Sequence, residues 1–271
     1  MLTAFESVVV DVTDFESARR AYALLLGREP IEVDFDPAQG TRIARFALAN
    51  AALELRAIPE RGADGAATIG LREADGIAGI RLAGVFDSGD RLRPGRAAGP
   101  TVPIELVGPP ASVASRAASG DDEPGGRVEG LDHVVIASPD PEPTSRHLAE
   151  DLGLRRALDR RFPERGLRLI FFRIGGVTLE IASPLAAPAP PTPATGGDAF
   201  HGLAWKVSRI DALHARLGAA GFALSAVRDG HKAGTRVASL RGALHGVPTL
   251  LIEHPPHPAG EPPGARAGGS A

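Results

Sequence analysis

The chain has 271 residues, of which 43% are hydrophobic and 23% charged, enough for two soluble globular domains. A formal net charge of −3 gives no electrostatic indication of nucleic-acid binding, and no apolar stretch reaches the ~18 residues that span a bilayer. Cysteine is absent, which excludes disulfides, thiolate metal sites and cysteine nucleophiles. The N-terminus lacks the features of a signal peptide, so we expect a cytoplasmic protein.

The first 107 residues predict two units of secondary structure. A β-branched run at 7–12 precedes Asp14, which can cap a helix that extends to Leu26 and ends at Gly27. Three further strands are predicted at 32–35, 41–48 and 52–58. A shorter unit contributes strands at 76–86 and 101–107, without an evident helix between them.

The same order returns in the second half of the chain. A strand is predicted at 131–137, a helix capped by Thr144 and ending at Gly153, and a hairpin across Gly175 and Gly176. After a proline-rich connector, the remaining elements are a strand at 200–208, a helix at 211–220, and strands at 236–240 and 249–253.

The element order predicts an α+β fold made of tandem β-α-β-β-β modules, in which curved mixed sheets are flanked by helices. Residues 1–108 form one domain and residues 129–254 the other, joined by a linker at 109–128 that is rich in glycine and proline. The tail at 255–271 is predicted to be disordered because it is dominated by proline and glycine.

The two halves resemble copies of one unit. Ser7 and His133 occupy matching places in their strands, as do Glu54 and Glu180, and both pairs are 126 positions apart (133 − 7 and 180 − 54). All eight histidines nevertheless lie after residue 132. Because imidazole is a common metal ligand and proton carrier, we expect the chemistry in the C-terminal half.

Each C-terminal module places one histidine in its first strand and one glutamate in its last strand. These residues are His133 and Glu180, then His201 and Glu253. Two neutral imidazoles and two carboxylates balance the charge of a divalent cation, and they suit Zn, Mn, Fe, Ni or Co. The pattern therefore predicts one metal ion held by these four side chains.

Four other residues are candidates for contact with a substrate. Trp205 can form a wall of the pocket, although a buried tryptophan also serves simply as core. His231 and His245 lie between the last helix and the last strand and can transfer protons or contact substrate, or else lie free in solvent. Arg168 can bind a substrate carboxylate, or can simply be solvated.

The C-terminal half resembles the vicinal oxygen chelate superfamily, which includes glyoxalases, methylmalonyl-CoA epimerases, extradiol dioxygenases and the fosfomycin- and bleomycin-resistance proteins. The resemblance lies in the order and spacing of Leu-Asp-His-Val-Val-Ile, Val-Thr-Leu-Glu-Ile, Phe-His-Gly-Leu-Ala-Trp and Thr-Leu-Leu-Ile-Glu within residues 131–254. It extends weakly to residues 5–107, where Ser7 replaces the first histidine while Glu54 and Glu105 remain. We expect that half to be structural or to cover the C-terminal cavity.

The resemblance implies two glyoxalase-like domains and the metal ligands His133, Glu180, His201 and Glu253. It also implies an isomerase or lyase in which Glu253 or Glu180 moves a proton next to a carbonyl group of a small oxygen-bearing substrate. No nucleic acid or membrane partner is expected, and the protein is predicted to be a monomer or homodimer.

Two alternatives stay open. An extradiol dioxygenase would hold Fe(II) with His133, His201 and Glu253, and would use His231 or His245 beside the iron. It would also need a late tyrosine, whereas the only tyrosine is Tyr22, and Glu180 would be surplus. A protein that sequesters a small hydrophobic molecule without catalysis is the third possibility.

Overall fold

A computed structural model describes residues 1–36, 40–58, 74–87, 92–97, 99, 102–109, 125–186 and 197–255. Most of the predicted linker, most of the proline-rich connector and nearly all of the predicted tail lie outside these residues. Within the described ranges, no helix combines the length and apolar character needed to cross a membrane.

The described residues of the first half form a seven-stranded mixed sheet with one helix. The elements are β1 (Leu2–Val12), α1 (Phe15–Leu26), β2 (Glu32–Asp36), β3 (Thr41–Ala47), β4 (Ala52–Ala57), β5 (Gly76–Gly84), β6 (Gly95–Arg96) and β7 (Ile104–Val107). The strand order is β2-β3-β4-β1-β5-β7-β6. Asp14 caps α1 through a hydrogen bond from the Ser17 N–H, and Gly27 ends it in a left-handed conformation with φ 68°, both as predicted.

In the second half, residues 125–186 and 197–255 form an eight-stranded mixed sheet with two α-helices. The elements are β8 (Arg127–Ala137), α2 (Pro141–Arg146), β9 (Arg155–Phe162), β10 (Leu167–Ile174), β11 (Val177–Pro184), β12 (Ala199–Ser208), α3 (Ile210–Ala219), β13 (Arg228–Asp229), β14 (Arg236–Ser239) and β15 (Thr249–Glu253). The strand order is β13-β14-β15-β12-β8-β11-β10-β9. The tandem-module fold predicted from the sequence is therefore confirmed.

Two local predictions were wrong. The N-cap of α2 is Asp140, whose carboxylate accepts from the Glu142 N–H, while Thr144 lies inside the helix. The helix then continues as one π-helical turn, His147–Asp151. Strand β9 was not predicted, because its row of arginines gives no apolar alternation.

Strand register shows the internal duplication directly. Where β1 and β4 pair in parallel, Val9 lies opposite Glu54, and where β8 and β11 pair in parallel, Val135 lies opposite Glu180. Both residues of the second pair follow those of the first by 126 positions, the offset seen in the sequence. Each half therefore places a valine opposite a glutamate at the same position of its parallel strand pair.

A single large core packs against one face of both sheets. Val134 and Ile136 of β8 and Leu203 and Trp205 of β12 all belong to it, and α1 contacts both β4 and β8. Because side chains alternate along a strand, the residues between these positions lie on the opposite face. We call this face of the eight-stranded sheet, which carries His133, Val135, Glu180 and Ala204, the open face.

Candidate functional site

His133 and Glu180 meet on the open face. Thr178 pairs with His133 and Glu180 with Val135, so the imidazole and the carboxylate lie on neighbouring strands two positions apart. His133 Nε2 is 3.9 Å from Glu180 Oε2, and the two side chains are 16% and 15% exposed. The pair is therefore mostly buried but can still be reached from solvent.

A β-bulge places a third group at this site. Ala204 pairs with His133 and Trp205 with Leu131, which leaves Asp132 as the extra residue of β8. Asp132 Oδ1 lies 2.8 Å from His133 Nδ1, and its Oδ2 lies 2.5 Å from His254 Nε2. One carboxylate thus holds two imidazole rings in place.

The pKa values of Glu180 and Asp132 are shifted in opposite directions. Burial raises the pKa of Glu180, His133 lowers it in part, and the charge of Asp132 adds to the increase. Burial opposes the ionisation of Asp132 as well, but the hydrogen bonds from His133 and His254 outweigh it and lower its pKa below the ordinary value. Asp132 is therefore the fixed anion, and Glu180 is the carboxyl group able to exchange a proton.

The second histidine position of the predicted metal site is occupied by glycine. In the antiparallel pairing of β8 with β12, His133 lies opposite Ala204, and Val135 lies opposite Gly202. When the two modules are exchanged, one pair takes the place of the other, so Gly202 occupies in β12 the position that His133 occupies in β8. A Cβ at Gly202 would lie 2.7 Å from the Pro248 carbonyl oxygen, which leaves no room for a side chain. His201 is the extra residue of a bulge in β12 and is exposed.

The second glutamate position is occupied by leucine. Glu180 lies beside Val135, and the corresponding residue beside Ala204 is Leu250. Glu253 pairs with Val207, on the core side of the sheet. Its Oε1 accepts a hydrogen bond from the Ile210 N–H at 3.0 Å, so Glu253 caps α3.

The structure does not bring the four predicted metal ligands together on one face of the sheet. His133 and Glu180 come together, whereas Glu253 lies on the other face of the sheet and His201 lies outside the paired ladder. No group of three or more histidine, aspartate or glutamate side chains in the described part of the chain is arranged to hold a metal ion. The same placement removes the His133, His201 and Glu253 set of the dioxygenase alternative, and it excludes Glu253 as a base at this site.

Trp205 and Arg168 also lie away from the open face. Trp205 is fully buried in the main core, so the interpretation as a core residue was correct. Arg168 contacts Asp159 Oδ1 and Oδ2 at 2.9 and 2.7 Å, and Glu142 at 2.5 Å on α2. These acids neutralise its guanidinium on the helix side of the sheet.

His231 and His245 make structural contacts. Arg165 donates a hydrogen bond to His231, with 2.6 Å between Nη2 and Nδ1, and this contact joins the β9–β10 turn to the loop before β14. The two ends of the eight-stranded sheet thus approach each other, so the sheet curves. His245 Nδ1 lies 3.2 Å from Asp75 Oδ2, which connects the two halves of the chain.

In the N-terminal half, arginine occupies the centre of the equivalent sheet face. Arg81 contacts both Glu54 and Glu105, and Glu54 also accepts from Arg45 at 2.6 Å. Arg45 contacts Glu6 in addition. A cavity of about 350 Å³ adjoins this ion-pair network. Glu54 and Glu105, the two carboxylates that remain in this half, are therefore neutralised by guanidinium groups.

Asp132 and His254 are the functional candidates that the sequence analysis missed. The alternation of side chains along β15 indicated that His254 and not Glu253 faces the site. Leu250, Ile252 and His254 fall on one face, and Glu253 falls on the other. The bulge at Asp132 gave no sequence signal, since a bulge depends on the pairing of two distant strands.

Comparison with known proteins found one family model and several solved structures that are similar to parts or all of this chain. A model of the Glyoxalase/Bleomycin resistance protein/Dioxygenase superfamily matches residues 132–238. A triply substituted 4-hydroxymandelate synthase from Streptomyces coelicolor is 16% identical, with a TM-score of 0.65, 99% of this chain covered and 95% of that chain. Methylmalonyl-CoA epimerase from Mycobacterium tuberculosis is 24% identical, with a TM-score of 0.42, 52% of this chain covered and 96% of that chain. No curated protein sequence matches the chain.

Proposed function

Because residues 132–238 match the model of the Glyoxalase/Bleomycin resistance protein/Dioxygenase superfamily, we propose that the protein is an enzyme that transfers a proton next to a carbonyl group. Glu180 is the base, and His133 binds the carbonyl oxygen. The observation that carries this proposal is the 3.9 Å separation between His133 Nε2 and Glu180 Oε2 on one sheet face. All the groups involved belong to one chain, so the site needs no second subunit.

The reaction begins with the ionised Glu180 carboxylate. It accepts the proton from the carbon next to the carbonyl group, the C–H electron pair becomes a C=C bond, and the C=O electron pair moves onto oxygen. Glu180 then returns a proton to the same carbon of the planar enolate. The configuration of that carbon is retained when the proton arrives on the original face, and it is inverted when the enolate has turned its other face to Glu180. A base is most effective when its pKa lies near the working pH, and burial moves the pKa of Glu180 in that direction.

His133 stabilises the oxygen that gains charge. The Asp132 carboxylate lies 2.8 Å from His133 Nδ1 and orients the ring by accepting a hydrogen bond from its N–H. When both ring nitrogens carry a proton, the Nε2–H donates a hydrogen bond to the carbonyl oxygen, and this bond becomes stronger as negative charge develops. Removal of one such donor typically costs about 10²–10³ in rate.

The surroundings of this pair suit an organic substrate. Phe171 lies opposite Glu180 on β10, and Ala204 lies opposite His133 on β12. Apolar neighbours exclude water and strengthen the hydrogen bonds at the reacting atoms. The donors do not fit a four-ligand metal site, so no step of the proposal uses a metal ion.

Deuterium exchange tests the proposal. Proteins are incubated in D₂O with two ketones, butyrophenone and 3-benzoylpropionate, and the protons next to the carbonyl are followed by NMR. Wild-type protein should accelerate exchange, Glu180→Gln should abolish the acceleration, and His133→Gln should reduce it about 10²-fold or more. His201→Gln is the matched control and should exchange like wild type.

The same measurements separate the proposed pair from a site that includes His201 and from a protein that binds ketones without catalysis. If His201→Gln lost as much activity as His133→Gln, the two histidines would act together and the proposed pair would be wrong. If wild-type protein bound these ketones without exchanging their protons faster than Glu180→Gln, a binding protein without catalysis would replace the proposal.

A further inference from the structure

We propose that Arg155 and Arg173 form an anion-binding subsite beside His133 and Glu180. The substrate would then be an apolar carbonyl compound that carries a carboxylate or phosphate group. The assignment of the two arginines as a subsite rests on the proposed function, because that function makes the open face a substrate site. Both arginines lie at the edge of the eight-stranded sheet, where β9 is the outermost strand.

Strand β9 brings two guanidinium groups together on the open face. Arg155 pairs directly with Arg173 of β10, and both residues are exposed. Like charges directly opposite each other on one sheet face are destabilising. Neither arginine has an acidic partner in the described part of the chain, so nothing there offsets the repulsion. An anion placed between the two would remove it.

On the other face of β9 and β10, a similar pair of arginines is neutralised by acidic side chains of the chain itself. Arg161 pairs directly with Arg168, so like charges also meet there. Asp159 accepts two hydrogen bonds from Arg168 and Glu142 accepts a third, which neutralises that pair with acids of the chain itself. Only the open-face pair is left with its positive charge uncompensated among the described residues.

The register places this pair within reach of the reactive groups. Arg173 lies opposite Thr178, and Thr178 lies opposite His133, so Arg173 is two strand spacings, or about 10 Å, from His133. Phe171, the next open-face residue along β10, lies opposite Glu180. A substrate with its carbonyl at His133 can therefore extend an anionic group to Arg173.

The other side of the reactive pair is apolar. Ala204 lies next to His133, and it packs with Val237 and Ile252 in a small cluster separate from the main core. From β9 towards β15 the open face thus presents guanidinium groups, then the histidine–glutamate pair, then aliphatic side chains. The ligand that matches this order has an anionic end, a carbonyl group and an apolar body.

Calorimetric titration with four probes tests the subsite. The probes are 3-benzoylpropionate, phenyl phosphate, inorganic phosphate and the neutral butyrophenone. An Arg155→Gln/Arg173→Gln double variant should bind 3-benzoylpropionate or phenyl phosphate about tenfold or more weakly than wild type, because charge-assisted hydrogen bonds are lost. Its affinity for butyrophenone should not change. The stronger of the two anionic aryl probes identifies carboxylate or phosphate, and inorganic phosphate shows whether the anion alone is sufficient.

Arg161→Gln is the control, because it removes one positive charge from the same strand on the other face. It should bind all four probes like wild type. Equal weakening by this control and the double variant would show a long-range charge effect without a subsite. Unchanged affinity of the double variant for both anionic aryl probes would overturn the inference.

The titration is independent of catalysis. Glu180→Gln should keep the arginine-dependent binding even though its exchange activity is lost. If binding depended on the arginines while wild-type protein did not exchange protons, the proposed function would fail and the anion site would remain. If exchange of both ketones were equally fast in wild type and the double variant, the function would remain and the subsite would fail.

Discussion

The carboxylate of Glu253 accepts a hydrogen bond from the backbone N–H of Ile210, with 3.0 Å between Oε1 and N. Ile210 begins α3, and the preceding residue, Arg209, has a positive φ of 49° and no capping hydrogen bond of its own. A residue 43 positions away therefore supplies the negative charge that the N-terminus of a helix favours.

Replacing Glu253 should affect stability and leave proton exchange unchanged. Glu253→Ala removes the cap and should lower the free energy of unfolding by about 1 kcal/mol. Urea denaturation of wild type and variant measures the difference, and Glu253→Gln, which keeps an acceptor oxygen, should lie between them. A loss of ketone exchange in Glu253→Ala with the fold intact would return Glu253 to the active site.

The raised pKa of Glu180 makes stability depend on pH. Because burial penalises the carboxylate, the folded protein holds this proton at pH values where the unfolded chain has released it. The free energy of unfolding of wild type should therefore decrease relative to Glu180→Gln as pH rises above the ordinary value of 4.5. Urea denaturation from pH 4 to pH 8 checks the sign, and a constant difference across this range would contradict it.

Asp132 should show the opposite pH dependence. Its pKa is lowered by the hydrogen bonds from His133 and His254, so its contribution to stability is present above 3.8 and is lost as pH falls through the depressed value. In Asp132→Asn the His133 ring loses its anionic partner, and ketone exchange should fall about 10²-fold. Asp229→Asn, in the short strand β13, is the control and should exchange normally.

Arg81 should be important for the stability of the N-terminal half. Its guanidinium contacts Glu54, which is almost fully buried, and Glu105. Arg81→Met leaves a buried carboxylate partly unpaired and should lower the free energy of unfolding by about 3 kcal/mol. An Arg81→Met/Glu54→Gln double variant should recover part of this loss, because the unpaired charge is removed. No recovery would show that Arg81 acts through packing alone.

The metal content follows from the positions of Gly202 and Leu250. Because no three histidine, aspartate or glutamate side chains of the described residues are arranged to hold a metal ion, protein purified without chelators should contain far less than one equivalent of metal. Dialysis against EDTA should leave ketone exchange unchanged. One equivalent of metal in wild type that disappears in the His133→Ala/His201→Ala double variant would restore the site predicted from the sequence.

The sequence revealed the fold more reliably than the site. Asp14 and Gly27 marked both ends of α1, and Gly175 with Gly176 marked the turn between β10 and β11, because such signals are local. Strand β9 was missed because an exposed edge strand needs no apolar pattern. Its arginines have a role only once their partners across the sheet are known.

By itself the sequence determined the repeated module, the resemblance of its C-terminal half to the superfamily, and the placement of Glu54 and Glu180 at the offset that also relates Ser7 to His133, because periodicity and spacing are properties of a linear chain. Only the tertiary structure decided which side chains share a face. A bulge in β12 put His201 outside the paired ladder, and a bulge in β8 brought Asp132 to His133. Glu253 lies three residues beyond Leu250, the residue that occupies the second glutamate position. Since side chains alternate along a strand, such small changes in register decide whether a residue faces the site or the core.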